Sequence, residues 1–530
     1  MAMHQGMLDA ALLHLTPQDC WDVRTALTHT LVFGTTGSGK TSGTIKSGTK
    51  SLLYQWFGVL FCVAKPEDAE AIIGWCRETG RLGSLLDWNG RNGGYNFLAH
   101  ELARSGNINN VIDVLMAVLE MIRSSSPSPG RASEQFWTDS VQQQLRATIP
   151  VIYAATGSVR ITDILAFIRS APSSPEQMQD PAWQHEAAFF RFFHAAAQRL
   201  AAGPVPVPGF DDAAAERCMN YWRLDAARLD PKTASNIRIS VTTALSRFEG
   251  GWLKDAFCGE TTLCPELLLS GAIILMNFPV QTDGEDAAIA AKLFKFMTQR
   301  VLLARNGMAP HLRERPVAIV ADEAQNFLHH DAEFMAQCRS SRVAVLMATQ
   351  SLPTLYAKIG GDHPHDRAHH LASQFGTVVL HSSACAETNE WMSRKIGKAV
   401  HRRASFNESE GTNTSIGMNM GEGTNWGHNR SSSSGYSSSP QGGSYNGSTG
   451  YGSSDGGNDN WGRNRGTGSN HGTSRGYSET VDDMVPAGFF AWGLKTGGPA
   501  HGNRVSALWF QAGRRFAASG ENFLVVEFQQ

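Results

Sequence analysis

The stretch "LVFGTTGSGKTSGT" (Leu31–Thr44) decides how the rest of the chain is read. An apolar, strand-like run, Leu31-Val32-Phe33, meets a glycine loop that ends in lysine and threonine. The loop fits G-x-x-x-x-G-K-[ST] at Gly34, Gly39, Lys40 and Thr41, with Gly37 as a further hinge. Glycine lets successive backbone N–H groups turn inward around phosphates. In such a loop the lysine reaches the β and γ oxygens and the threonine hydroxyl sits on Mg2+. A helix from about Thr41 adds the positive end of its dipole. The spacing predicts a site for ATP and Mg2+ built from Gly34, Thr35, Thr36, Gly37, Ser38, Gly39, Lys40, Thr41 and Ser42.

A phosphate loop needs a metal-holding acid and a group to orient water before it can hydrolyse ATP. "RPVAIVADEAQNFL" supplies both at the end of an apolar run: Asp322 for the Mg2+ shell, alongside Thr41, and Glu323 to polarise the attacking water. The next apolar run, "VAVLMATQ", ends in Gln350, placed to sense the γ-phosphate or its water. Just before it, "FMAQCRSSR" carries Arg339 and Arg342. Either is a candidate for the guanidinium that completes a neighbour's site, and either also reads as a surface charge.

Short apolar runs separated by helical patterns are the signature of a parallel α/β sheet. They lie at Leu31–Phe33, Val59–Val63, Ala272–Phe278, Val317–Ala321, Val343–Ala348 and Thr377–Leu380, with a long amphipathic helix expected over Asp286–Arg305. The intervening stretch has helical spacing and little strand character. The expected organisation is 1–104 for the first part of the nucleotide domain, 105–247 for an inserted all-α domain, and 248–403 for the second part. Residues 404–478, rich in serine and glycine, have almost no aliphatic side chains and read as a disordered loop spanning roughly 45–50 Å as a coil. Residues 479–530 return to ordinary composition and supply closing strands.

The 530 residues carry 46 Lys+Arg and 48 Asp+Glu, so there is no general basic coat and any nucleic-acid surface must be local. Eight cysteines without CxxC pairs read as reduced thiols. Neither a signal peptide nor an apolar run of membrane length is visible, which predicts a soluble, cytoplasmic protein.

The order of these motifs resembles the ATPase domain of conjugative type IV coupling proteins, the TraG/TraD group within the FtsK/HerA superfamily. "FCVAKPED" at Lys65-Pro66-Glu67, "YNFLAH" (95–100), "ATQSLPTLY" (348–356), "ETNEWMSRKIGK" (387–398) and "DDMVPAGFF" after the Ser/Gly insertion carry the likeness. The resemblance implies a RecA-like P-loop NTPase that assembles as a homo-hexamer. It also implies that Arg339, rather than Arg342, is the family's arginine. Such a motor moves DNA, without sequence preference, or a DNA–relaxase complex toward a secretion channel. The family's N-terminal membrane helices have no counterpart before the loop at Gly34, which points to recruitment to the inner membrane by a partner. Two other readings stand beside this one: a soluble HerA/FtsK-like motor in phage defence or DNA processing, and an ATP-gated scaffold that docks proteins on a channel.

Three further clusters are ambiguous. "HPHDRAHH" places His365 and His369 four apart, as for a divalent metal, but it reads better as a solvated loop. Arg394, Lys395, Lys398, Arg402 and Arg403 suit phosphate contact or a charged helix end. In the Ser/Gly stretch, Trp426, Tyr436, Tyr445, Tyr451, Trp461 and Tyr477 alternate with Arg430, Arg463, Arg465 and Arg475, as for base stacking or a simple spacer.

Overall fold

The computed structural model describes residues 8–123, 131–203, 211–417, 427–439, 442–454 and 464–530. In chain order its strands are β1 (Ala11–His14), β2 (Cys20–Asp22), β3 (Thr30–Phe33), β4 (Gly58–Cys62), β5 (Leu85–Trp88), β6 (Ile273–Met276), β7 (Val317–Ala321), β8 (Val343–Thr349) and β9 (Thr377–Leu380). They continue with β10 (Lys398–Gly417), β11 (Gly427–Ser439), β12 (Gly442–Ser454), β13 (Asn464–Asp483), β14 (Arg504–Gln511) and β15 (Phe523–Gln529). Contacts divide the chain into two compact units, Met1–Thr388 with Phe490–Gln530, and Asn389–Phe489.

The first unit holds a nine-stranded sheet in the order β15-β14-β9-β3-β8-β7-β4-β6-β5. From β9 to β5 every neighbouring pair is parallel, whereas β14 and β15 add on antiparallel. Strands β3, β4, β6, β7, β8 and β9 are buried at every position. That is why they read as unbroken apolar runs rather than alternating ones: parallel strands covered on both faces have no solvent side to mark. β5 escapes that reading because it is an edge strand, LLDW, with two exposed residues. A helical turn from Val280 breaks at Gly284, which takes φ 64°, and the expected long helix follows that break and runs to Ala304.

Between β5 and β6 the described residues form helices, among them Ile108–Arg123, Ile149–Thr156, Ile161–Arg169, Ala188–Ala202 and Pro231–Leu245. Among them, Phe167 of Ile161–Arg169 lies 4.8 Å from Phe189 of Ala188–Ala202 and 5.7 Å from Trp222, ring centre to ring centre. Among the described residues no single helix is long and apolar enough to cross a membrane.

The second unit corrects one expectation. Residues 404–478 are not a coil where they are described; β10 to β13 form a four-stranded antiparallel sheet in the order β10-β13-β12-β11. The coil reading weighed only the scarcity of aliphatic side chains. A long ladder instead partners the backbone N–H and C=O groups themselves, and from Lys398↔Asp483 to Gly417↔Asn464 it runs in unbroken register. Trp426, Trp461 and Arg463 lie outside the described residues.

Candidate active site

Strand order places the chemistry. β3, which ends in the glycine loop, lies next to β8, and β8 lies next to β7, which ends in Asp322 and Glu323. Phe33 is level with Thr349, and Ala321 with Met347. Gln350, one residue beyond β8, therefore emerges between the loop and the acidic pair.

The loop conformation explains its glycines. Gly37 and Gly39 adopt φ of 78° and 86°, values that side chains disfavour. A Cβ on Gly39 would overlap Val505 of β14, and one on Gly34 would come within 2.8 Å of the His381 Cβ. Thr35 N donates to Ser382 O at 3.1 Å, tying the loop to the end of β9. The helix that follows opens with a π turn at Thr41–Ile45.

Lys40 is buried, 6% exposed, with Nζ 3.5 Å from Thr35 O. Burial pulls its pKa down, and the nearby Asp322 and Glu323 oppose that pull. Ser38 Oγ is buried with no hydrogen-bond partner, a donor facing the loop's interior chemistry without a protein acceptor. The Thr41 hydroxyl donates to the Asp322 carboxylate. An orphaned hydroxyl, a buried ammonium and a hydroxyl–carboxylate pair fit a triphosphate with its Mg2+: Thr41 and Asp322 would hold the ion, which screens phosphate charge, and Lys40 would meet the phosphates.

Glu323 takes φ 53°, a left-handed conformation rare for a non-glycine residue, at the end of β7. Its carboxylate accepts from Gln325 Nε2 at 2.6 Å and lies 3.4 Å from Gln350 Nε2 and 4.0 Å from Lys65 Nζ. Glu323 and Gln350 are thus brought together with Lys40, Thr41 and Asp322.

Arg339 is not brought to this cluster within one chain. It is exposed and precedes β8, at the end of the sheet opposite the loop, a strand length of about 20 Å away for seven residues. Arg342 has a structural role, in a left-handed turn with Nη1 donating to Glu314 O at 2.7 Å. The helix Asp331–Gln337, which leads into the Arg339 turn, is anchored by a fully buried ion pair between Lys295 and Asp331, and Gln299 Nε2 donates to the same carboxylate at 2.8 Å.

Sequence reasoning missed two groups. Asp68, at the start of the helix after β4, shares a pocket with Thr41, Cys62 and Asp322, and burial followed by the Asp322 charge pushes its pKa up to about 6. His381 is fully buried beneath the loop, 2.8 Å from Thr44 Oγ1, and burial and Lys40 hold its pKa at about 3, so the ring is neutral. Asp68 closes the FCVAKPED segment, where no role was assigned to it, and only the pairing of β9 beside β3 reveals His381. The histidine-rich segment is a helix, Pro364–Ser373, not a loop, and His365 and His369 lie against the Tyr356 ring at 4.1 and 6.0 Å. Lys398 pairs with Asp483 at 3.9 Å and Lys395 lies over Trp391.

Residues 316–442 match the family described as the TraM recognition site of TraD and TraG. Among solved structures, the bacterial conjugative coupling protein TrwBdeltaN70, in its unbound monoclinic form, is similar with a TM-score of 0.54 at 13% identity, covering 100% of this chain and 90% of that one. This likeness identifies the fold as RecA-like with a P-loop. TrwB in complex with ADP and Mg2+ gives a TM-score of 0.48 at 14% identity, over 75% of this chain and 81% of that chain. No curated protein sequence matches this chain.

Proposed function

We propose that this chain, TraG/TraD-type over residues 316–442, is an ATP-driven motor that works as a ring and delivers DNA to a secretion channel. The observation that carries the reading is the meeting of Thr41 with Asp322 beside Glu323 and Gln350, beyond the carboxyl ends of three adjacent parallel strands. Lys40 and the loop amides bind the phosphates, and Asp322 with Thr41 holds Mg2+. Glu323 takes a proton from the attacking water, and Gln350 holds that carboxylate in line. Arg339 of a neighbouring copy completes the site, because its own chain keeps it at the far end of the sheet. DNA is the polymer moved, without sequence preference, and six copies make the ring.

The description of residues 316–442 as a TraM recognition site favours a protein contact as well. We place a relaxase-complex protein on that segment, with recruitment to the inner membrane through such a partner. Docking and motor activity are then two parts of one delivery step.

Steady-state ATP hydrolysis, without DNA and with single- or double-stranded DNA, tests the reading, with Lys40→Ala as the blank. DNA stimulation that collapses at high salt is expected, because phosphate contacts release counterions. Hydrolysis indifferent to both DNA forms would overturn the motor reading in favour of the docking scaffold.

A further inference from the structure

We propose that the sheet β10-β13-β12-β11 is an open arc of a larger antiparallel wall, completed by the same sheet of other copies of this chain, with β11 of one copy pairing along β10 of the next. The inference deepens the ring reading above and rests on it.

The sheet ends in two open edges. Among the described residues β10 has only β13 as a neighbour and β11 only β12. Folded proteins keep edges from recruiting other strands by making them short, bulged, charged or interrupted by proline. Here β10 has 20 residues and β11 has 13, both are paired on their inner side without a register shift, and neither contains proline. The stretches 411–417 and 431–439 carry no charged residue at all. The protective charges are confined to Lys398, Arg402, Arg403, Glu408 and Glu410 in the first part of β10 and Arg430 near the start of β11, and the rest of each edge has none.

Strand direction makes the edges complementary. Every neighbouring pair is antiparallel, and with four strands β10 and β11 run in opposite directions. Copies related by rotation about an axis running along the strands therefore set β11 against β10 antiparallel, matching the pairing inside the sheet. Such a head-to-tail contact, repeated, closes into a ring.

The sequence supplies a third, independent argument. At the odd positions of 405–417 and 427–439, and the even positions of 442–454 and 464–478, every residue is glycine, serine or asparagine. The register sets these positions opposite one another, as in Asn407↔Ser474 and Ser448↔Ser474, so they share one face of the ladder. Phe406, Tyr436, Tyr445, Tyr477, Arg430 and Arg475 all fall at the alternate positions, with Tyr436↔Tyr445 and Tyr445↔Tyr477 in one row. Two faces of unlike composition along every strand is how a closed wall distinguishes inside from outside. A slip of one residue would exchange the faces, so the alternation also specifies register. A tether needs none of this.

The test places the photo-crosslinking residue p-benzoyl-phenylalanine at Ser433 on β11, in an equal mixture of 14N- and 15N-labelled full-length protein with ATP and Mg2+. Within one chain β11 and β10 are three strand spacings apart, about 14 Å, beyond the reach of the probe. The expected products join the probe to a peptide from 398–417 and contain one light and one heavy chain. A probe at Ser448 on the interior strand β12 should give about tenfold less of any cross-chain product, because both its neighbours belong to its own sheet. Crosslinks confined to β12 of the same chain, in a protein that native mass spectrometry finds oligomeric, would overturn edge pairing and leave the ring reading intact. Crosslinks joining β11 to β11 would overturn head-to-tail closure. A monomer under these conditions would overturn both.

Discussion

Gln350 Nε2 stands 3.4 Å from both carboxylate oxygens of Glu323, so the side chain that ends β8 holds the one that ends β7. The link crosses two parallel strands at their carboxyl ends, where the glycine loop of the third also opens.

This link predicts separable kinetics. Glu323→Gln should lower kcat by about 10²–10⁴-fold while leaving ATP affinity within about a factor of three. Gln350→Ala should lower kcat by about tenfold, since it misplaces the carboxylate without removing it. Single-turnover hydrolysis beside fluorescent-nucleotide binding separates the two effects. Normal turnover by Glu323→Gln would remove it from the role of base.

Nucleotide binding should depend on the loop's shape as well as its charge. Gly39→Ala places a methyl group in the space of Val505 at φ 86°, and Lys40→Ala removes the buried ammonium. Each is expected to weaken ATP binding by about tenfold or more, each losing at least one charge-assisted contact of about 1.5–3 kcal/mol. Isothermal titration with ATP and Mg2+ measures this directly. Val505→Ala should partly rescue Gly39→Ala and should not rescue Lys40→Ala.

Between pH 7 and 5 acid should cost the fold stability through two buried histidines, a loss that the raised Asp68 carboxyl partly offsets. Burial lowers the pKa of His29 to about 4, and burial with Lys40 lowers that of His381 to about 3, from an ordinary value of 6.5. Below pH 6.5 the unfolded chain takes up protons that the folded rings refuse, so stability present above 6.5 is lost as the pH falls toward the folded values. The slope reaches about 1.4 kcal/mol per pH unit for each ring. Urea denaturation between pH 7 and 5 should show that loss, and His29→Gln should reduce it. An unchanged slope in His29→Gln would mean that this ring titrates normally.

The buried pair below the Arg339 turn predicts a stability effect. Asp331→Asn leaves the Lys295 ammonium in a site with no solvent, which costs about 3–5 kcal/mol by the behaviour of broken buried pairs. Thermal unfolding would register it. If a ring forms, the same variant should also lower the activity of mixed assemblies, because the helix Asp331–Gln337 leads directly into Arg339.

What the sequence displayed was whatever burial or backbone geometry imposes locally. The two-sided burial of β3, β7 and β8 produced apolar runs, and the tight loop produced Gly37 and Gly39. Asp322, Glu323 and Gln350 were legible because each sits one or two residues beyond such a run. His381 and Asp68 were not, because their roles arise from strand neighbours hundreds of residues away or from a charge they face across a pocket. The sheet β10-β13-β12-β11 was misread for a different reason. Its ordering signal is a period of two carried by Gly, Ser and Asn, which composition alone averages into a coil.

Val505 and Phe528 close against Gly39 and Gly43, and Gln530 Nε2 donates to Ser42 Oγ at 3.1 Å. The ribosome therefore makes the glycine loop well before its back wall. At about 5–20 residues per second, some half a minute to a minute and a half separates the two. During that interval β9 has no β14 beside it, and its TVVL backbone is an open edge in the crowded space near the exit tunnel. Maturation of the nucleotide site is thus timed by translation of β14 and β15, and stalling within the Ser/Gly stretch would leave a chain with its loop made and its pocket unfinished.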